Sequence, residues 1–341
     1  MVHEPFGQIL TGSIEDLRRA YDRMQKQPVD WDLTNGGAPD GHVRQRTIAK
    51  PVSVSGPGTF FGKATRTLTF EPTDLEGWWF VRDDLADCLP VRVSIRNVWT
   101  TGDVVSNIVL RSGPPQNYIR MVEHIVALKV GLPIDNVMIR MESGDPPLFK
   151  RGSLDLVEAL ESAGTVETQK PVSYWTVKER VTVSSGQGNF LIFDPATGPE
   201  SRLTVDCAVD FPNAIGQQRI KFPLNYEHFR RGAEARTNTP YGKMLYVKTL
   251  GRIFADLRNL GYTSDNILIA GRRRYVNEPK LIHDGKSLEA VWHRAILDLF
   301  AAVALLEEGR FAGHITSYRA GHALDCLAMR LLYKKGLLRP L

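Results

Sequence analysis

Cysteine is scarce in this chain of 341 residues: Cys88, Cys207 and Cys326 lie far apart, with no Cys-x-x-Cys spacing. An odd, scattered set argues against a disulfide framework and fits a reducing compartment, with each thiol a small buried hydrophobe. Long apolar runs are missing too. The longest, Leu299 to Leu306, is too short to cross a bilayer. The N-terminus, Met1-Val2-His3-Glu4-Pro5-Phe6, has no basic region leading into an apolar stretch, so no secretory signal is visible. A strong charge of either sign is also absent, the formal net charge being +5. The basic clusters Arg230-Arg231, Arg272-Arg273-Arg274 and Lys334-Lys335 are short. Solvated surface explains each of them first, and an anionic substrate or anionic lipid headgroups second. No nucleic-acid motif accompanies them. These absences predict a soluble, cytoplasmic protein. The 43% hydrophobic and 24% charged fractions are those of a globular chain, long enough for about two domains.

A faint internal duplication organises the sequence. Val52-Ser53-Val54-Ser55-Gly56-Pro57-Gly58 is echoed by Val181-Thr182-Val183-Ser184-Ser185-Gly186-Gln187-Gly188. Gly131-Leu132-Pro133-Ile134-Asp135-Asn136 is echoed by Gly261-Tyr262-Thr263-Ser264-Asp265-Asn266, at a similar offset. Each half opens with an alternating strand and a Gly turn, over Lys50 to Ser55 and Lys178 to Ser184. Each closes with a helix that stops at a Gly and passes through Asp-Asn into an apolar strand; these helices are predicted over Ile119 to Val130 and Gly242 to Leu260. A third long helix is predicted over Ser287 to Glu308, then a strand over His314 to Tyr318 and a closing helix over Gly321 to Lys335. The pattern gives two α+β domains, 45–166 and 171–335, joined near Glu167-Thr168-Gln169-Lys170-Pro171. Residues 1–44 stand outside it. There Ser13 with Asp16 at N3 caps an amphipathic helix to about Lys26, and Asn35 to Gly41 reads as a linker. This extension is expected to pack on the core or to bind a partner.

Chemistry concentrates in three segments: Val122-Glu123-His124, His293-Arg294-Ala295-Ile296-Leu297-Asp298 and Ala320-Gly321-His322-Ala323-Leu324. They supply two imidazoles and a carboxylate for a metal, a free Glu beside one imidazole, and a further His. A hydrolytic zinc site needs that inventory: N/O ligands, an open position for water, a general base and a general acid.

In order and spacing these segments resemble the zinc-dependent UDP-3-O-acyl-N-acetylglucosamine deacetylases of lipid A synthesis, from Gln45 to about Leu338. The resemblance also covers Gln45-Arg46-Thr47-Ile48, Gly62-Lys63, Ala214-Ile215-Gly216, Ala235-Arg236-Thr237, Val276-Asn277-Glu278 and Ser317-Tyr318-Arg319-Ala320-Gly321-His322. It implies two related α+β domains, each a sheet layered against helices, with the active site between them. It implies His124, His293 and Asp298 as ligands of Zn2+, although His/His/Asp ligation suits Fe2+ as well. Glu123 is implied as general base, His322 as oxyanion stabiliser or proton donor to the leaving amine, and Thr237 as hydrogen-bond donor to the oxyanion. Arg294 stands where the family has an active-site Lys, a planar fork in place of a point charge. The implied substrate is an acylated sugar nucleotide, with peripheral contact to the inner membrane.

The chain departs from the family's pattern in several places. The carboxylate ligand is expected four residues after the second His, but that position is Leu297 and Asp298 follows at +5. On a regular helix, +5 lies roughly 140° from the His, too far for one ion. Either an extra residue is absorbed as a π-bulge, or the metal keeps two protein ligands and waters. Glu289, one turn before His293, is a weaker candidate. Gly58-Thr59-Phe60-Phe61-Gly62 replaces a Gly-Leu-His turn, Asn238 and Pro240 replace two Phe residues, and Arg151-Gly152-Ser153 replaces Asp-Gly-Ser. Residues 100–116 match poorly. These changes leave two alternatives beside the deacetylase: a zinc amidohydrolase of another amide, and a degenerate relative that binds without hydrolysis.

Overall fold

Alternating apolar and polar residues build two principal sheets in the computed structural model, which describes residues 5–36, 41–59, 64–102, 107–198, 200–241, 261 and 263–341. In the first half the spatial order is Val52–Pro57, Thr65–Glu71, Val137–Met141, Trp78–Arg82 and Val91–Arg92. Leu68, Phe70, Trp78, Phe80 and Ile139 are fully buried on its inner face. The outer face carries cross-strand hydroxyl pairs instead, Ser53 with Thr69 at 2.9 Å and Ser55 with Thr67 at 2.7 Å. One wet face and one dry face is the expected pattern for such a sheet.

The second half is built on seven strands in the order Gln8–Thr11, Val181–Val183, Phe190–Asp194, Gly313–Tyr318, Leu203–Asp210, Gln217–Pro223 and Trp31–Asp32. Both edge strands come from the N-terminal extension, each pairing in parallel with its neighbour. Between them the helix Ile14–Lys26 lies across the sheet. The Ser13 hydroxyl caps it by accepting from the Asp16 N–H, as the capping pattern predicts. Leu17, Ala20 and Met24 pack on Phe6, Phe190, Ile192 and Tyr318. The extension therefore packs on the core, covering one face of the sheet and closing both edges.

The expected joint near Glu167 falls within the strand Thr165–Pro171, which pairs antiparallel with Arg44–Ile48. The first Asp-Asn strand, Val137–Met141, sits at the centre of its sheet. Its echo, Ile267–Ala270, pairs in parallel with Thr237–Pro240 in a separate two-stranded sheet and bridges to Tyr275 through Ala270. Asn136 accepts from the Gly77 N–H of a neighbouring segment, whereas Asn266 closes its own turn onto Gly261 and Thr263. The predicted helix over 242–260 lies outside the described residues.

Two helical segments differ from expectation. The first begins at Glu123 rather than near Ile119, because Met121 takes a left-handed φ of 54° and turns the chain after the strand Tyr118–Ile119. The long segment expected over Ser287 to Glu308 runs as α-helix over Glu289–Trp292, π-helix over His293–Leu299 and α-helix over Phe300–Val303. Trp292, Ile296, Leu297 and Phe300 are fully buried and pack this segment into the core.

Candidate active site and family

The π-helix answers the spacing problem posed by Leu297. Its wider turn takes up the extra residue, so Leu297 goes into the core and Asp298 returns to the side of His293. Asp298 Oδ1 lies 3.4 Å from His293 Nδ1 and 3.4 Å from His322 Nε2. Across from it, His124 Nε2 approaches His293 Nε2 to 3.4 Å. Thus His124, His293, Asp298 and His322, from three separate segments, form one continuous cluster.

The supporting contacts explain how each group is held. The Ser153 hydroxyl donates to the His124 carbonyl at 2.7 Å and stands 3.5 Å from His124 Nδ1, on the ring edge away from His293. Thr237 Oγ1 sits 3.1 Å from Nε2 of both His124 and His293. Arg236, next to Thr237, makes a buried bidentate pair with Glu289 at 2.7 and 3.0 Å. That pair ties the Thr237 strand to the start of the His293 helix and gives Glu289 a structural role in place of a ligand's. Left-handed non-glycine turns precede both other helices: Met121 before Glu123, and Arg319 (φ 50°) before His322. Strain of this kind persists where surrounding structure fixes it, commonly at functional sites.

Electrostatics separate the groups by role. Burial pushes the Glu123 carboxyl up, and neighbouring His322 opposes this without overcoming it. One Glu123 oxygen accepts from the Ile108 N–H at 3.1 Å. Burial, with His293 beside it, pushes His124 down to about 3, so its imidazole is neutral with a lone pair to offer. Burial works to raise Asp298, but His293, His322 and Arg294 outweigh it and hold the carboxyl well below the usual range.

Two of the donors are spaced as a divalent ion requires. Two nitrogens bonded to one tetrahedral zinc at about 2.0–2.1 Å stand about 3.3–3.4 Å apart, which the His124–His293 pair matches. A single Thr237 hydroxyl proton cannot serve both Nε2 atoms, whereas a cation takes both lone pairs. His293 Nδ1, Asp298 Oδ1 and His322 Nδ1 are buried without a hydrogen-bond partner among the described residues. Donor chemistry and imidazole spacing therefore fit. The carboxylate lies along the other edge of the His293 ring, and among the described residues no three His, Cys, Asp or Glu side chains are already arranged to hold a metal ion.

Arg294 is buried. Its guanidinium donates to Asp325 Oδ1 at 2.5 Å and to the Ser317 hydroxyl at 3.1 Å. Asp325, its carboxyl pushed up to about 6 by burial, was not anticipated from the sequence. The available signal was an acid one turn after His322 on an otherwise apolar face. Ser153 was likewise named only as part of a substituted turn. Phe60 and Phe61 lie outside the described residues. Asn238 follows Thr237 on its strand, and a recess of about 20 Å³ walled by Met121, Pro146, Leu148 and Phe149 opens beside His124 and Thr237.

Residues 45–334 match the family UDP-3-O-acyl N-acetylglycosamine deacetylase. The chain is 31% identical over 282 residues to the UDP-3-O-acyl-N-acetylglucosamine deacetylase of Bdellovibrio bacteriovorus, covering 82% of this chain and 86% of that one. To the enzyme of the same name from Brucella ovis it is 29% identical over 294 residues, covering 84% of this chain and 94% of that one. With the match running through all three site segments, this chain belongs to the UDP-3-O-acyl-N-acetylglycosamine deacetylase family.

Proposed function

We propose that this protein hydrolyses the N-acetyl amide of a UDP-3-O-acyl-N-acetylglucosamine, the deacetylation of lipid A synthesis, with His124, His293 and Asp298 holding a zinc ion. The π-helical turn that returns Asp298 to His293 is the observation that supports this reading most. A divalent ion there supplies Lewis acidity toward the amide carbonyl and makes a nearby water easier to deprotonate.

The chain's own groups carry the remaining steps. Glu123, with its pKa raised by burial, takes a proton from the attacking water. The Thr237 hydroxyl turns from the imidazoles to donate to the carbonyl oxygen as that oxygen gains charge. His322 delivers a proton to the amide nitrogen as the C–N bond breaks, giving acetate and the free amine. Ser153 keeps His124 oriented, and the Arg236–Glu289 pair keeps Thr237 and His293 in register. Arg294 acts from behind, fixing the His322 helix through Asp325. No described helix is long and apolar enough to cross a membrane. The acylated substrate is then met in solution or at a membrane surface, where the exposed Arg272-Arg273-Arg274 turn carries suitable charge.

The test is acetate release from UDP-3-O-acyl-N-acetylglucosamine by the metal-loaded protein, beside elemental analysis of wild type, His124→Ala and Glu123→Gln. About one zinc per chain is expected in wild type and Glu123→Gln and little in His124→Ala; turnover in Glu123→Gln falls by about 10²–10⁴. Turnover of another amide with none on the UDP substrate would favour the second reading, to which Asn238 and Pro240 point. Absence of zinc after supplying it would overturn both.

A further inference from the structure

We propose that a cavity lined by residues of both halves of the chain binds a small anionic amphiphile: a carboxylate or phosphate head on an apolar body. The cavity has a volume of about 280 Å³, near the lower end of the range for sites that take small organic ligands (about 300–1,000 Å³). Val130, Leu203, Leu224, Val303 and Phe311 form apolar walls. Arg46, Lys129, Arg202 and Arg310 also line it, and no Asp or Glu does among the described residues. None of Glu123, His124, Thr237, His293, Asp298 or His322 lines it. The inference is independent of the deacetylase reading.

The cations differ in how far they are already neutralised. Arg310 pairs with Asp135 at 2.8 Å and Arg46 with Glu167 at 3.1 Å. The Arg202 guanidinium lies over the Tyr174 ring, 4.2 Å from its centroid, donates to the Ser201 carbonyl at 3.0 Å, and has Glu200 at 3.9 Å. Lys129 is buried and has no carboxylate at ion-pair distance among the described residues. It donates instead to the carbonyls of Ala304 and Leu306, each at 2.8 Å. An ammonium has three donors, so one remains for the cavity's contents. Burial, with Arg92 and Arg310 nearby, pushes Lys129 down to about 7 against the weaker opposing pull of Asp135 and Glu307, and an anion in the cavity would relieve that. A buried cation with no carboxylate in direct contact is costly, and an anionic head beside an apolar wall meets both halves of the site.

The structure also ties the cavity to the catalytic helices. Lys129 follows His124 by five residues, and Ala304 closes the helical run that begins with His293 and Asp298.

Calorimetric titration of the full-length protein with decanoate, decyl phosphate, decanol and inorganic phosphate tests the proposal, using wild type, Ala304→Leu (which fills the cavity) and Arg202→Gln (which needs no repacking). Thermal melts confirm that each variant folds. One anionic amphiphile per chain with sub-millimolar Kd is expected, at least 10-fold tighter than decanol or inorganic phosphate. Ala304→Leu should remove that binding, and Arg202→Gln should weaken it at least 5-fold. The tighter of decanoate and decyl phosphate identifies the head group. No saturable binding, equal affinity for decanol, or affinity unchanged in both variants would each overturn the proposal.

Discussion

Asp135 and Asp298 are both partly buried acids held well below the usual carboxylate range by their neighbours, yet their surroundings are opposite. Asp135 accepts from His42, the Arg46 N–H and Arg310, at 2.7 to 2.8 Å. Its lone pairs are occupied by the protein, and it ties the extension, the first half and the second half together. Asp298 has two imidazoles near it at 3.4 Å, but its Oδ1 has no hydrogen bond among the described residues. A saturated acid is a fastener. An unsaturated one, buried at the same cost, is placed for something the protein does not itself supply.

Substitutions at the two acids sharpen the contrast. Asp298→Ala is expected to remove most bound zinc and to lower turnover by several orders of magnitude, with little loss of thermal stability. Unchanged zinc content by elemental analysis would take Asp298 out of the ligand set. Asp135→Ala should do the reverse: zinc stays near one per chain, while urea unfolding shows a loss of about 3–5 kcal/mol, because the partly buried Arg310 guanidinium and the His42 ring lose their shared acceptor. Next in size is Leu297→Ala. It lies inside the bulge and faces the core, so a loss of about 2–5 kcal/mol with zinc retained is expected. If zinc is lost as well, the bulge and the ligand set are one unit and the contrast is less sharp.

The smallest effect is on pH dependence. The folded-state pKa of Asp135 is depressed, so its contribution to stability is fully present above the unfolded value of about 3.9 and is lost as pH falls through the lower folded value. Acid unfolding of Asp135→Asn should therefore depend less steeply on pH below about 4 than that of wild type. Identical curves would mean that other carboxylates set the acid limit.

Much of this was legible in the sequence. Ser13 with Asp16 announced the first helix, and the strand and helix around Ser317 to His322 lie where the pattern puts them. The segments bearing Glu123, His124, His293 and His322 were identifiable, as was the alternative of a bulge at Asp298. What escaped were long-range pairings. Nothing local to Gln8–Thr11 or Trp31–Asp32 says that they form opposite edges of one sheet, because edge strands are chosen by partners roughly 170 to 190 residues away. The partner of Arg294 was equally invisible, since guanidinium direction depends on where Asp325 arrives. The echo at Asp265-Asn266 was a true local similarity, but side-chain hydrogen bonding sends the two copies to different sheets.

The clasp formed by the extension also bears on synthesis. The extension precedes its partners by a long way: Trp31 pairs beside Ile220, about 190 residues later, and Leu17, Ala20 and Met24 pack on Tyr318, about 300 residues later. At roughly 5–20 residues per second, the apolar stripe of Leu17, Ala20 and Met24 waits on the order of 15–60 s before its sheet is complete. During that interval the stripe lacks the apolar surface that covers it in the fold, which makes residues 14–26 a natural client for a chaperone.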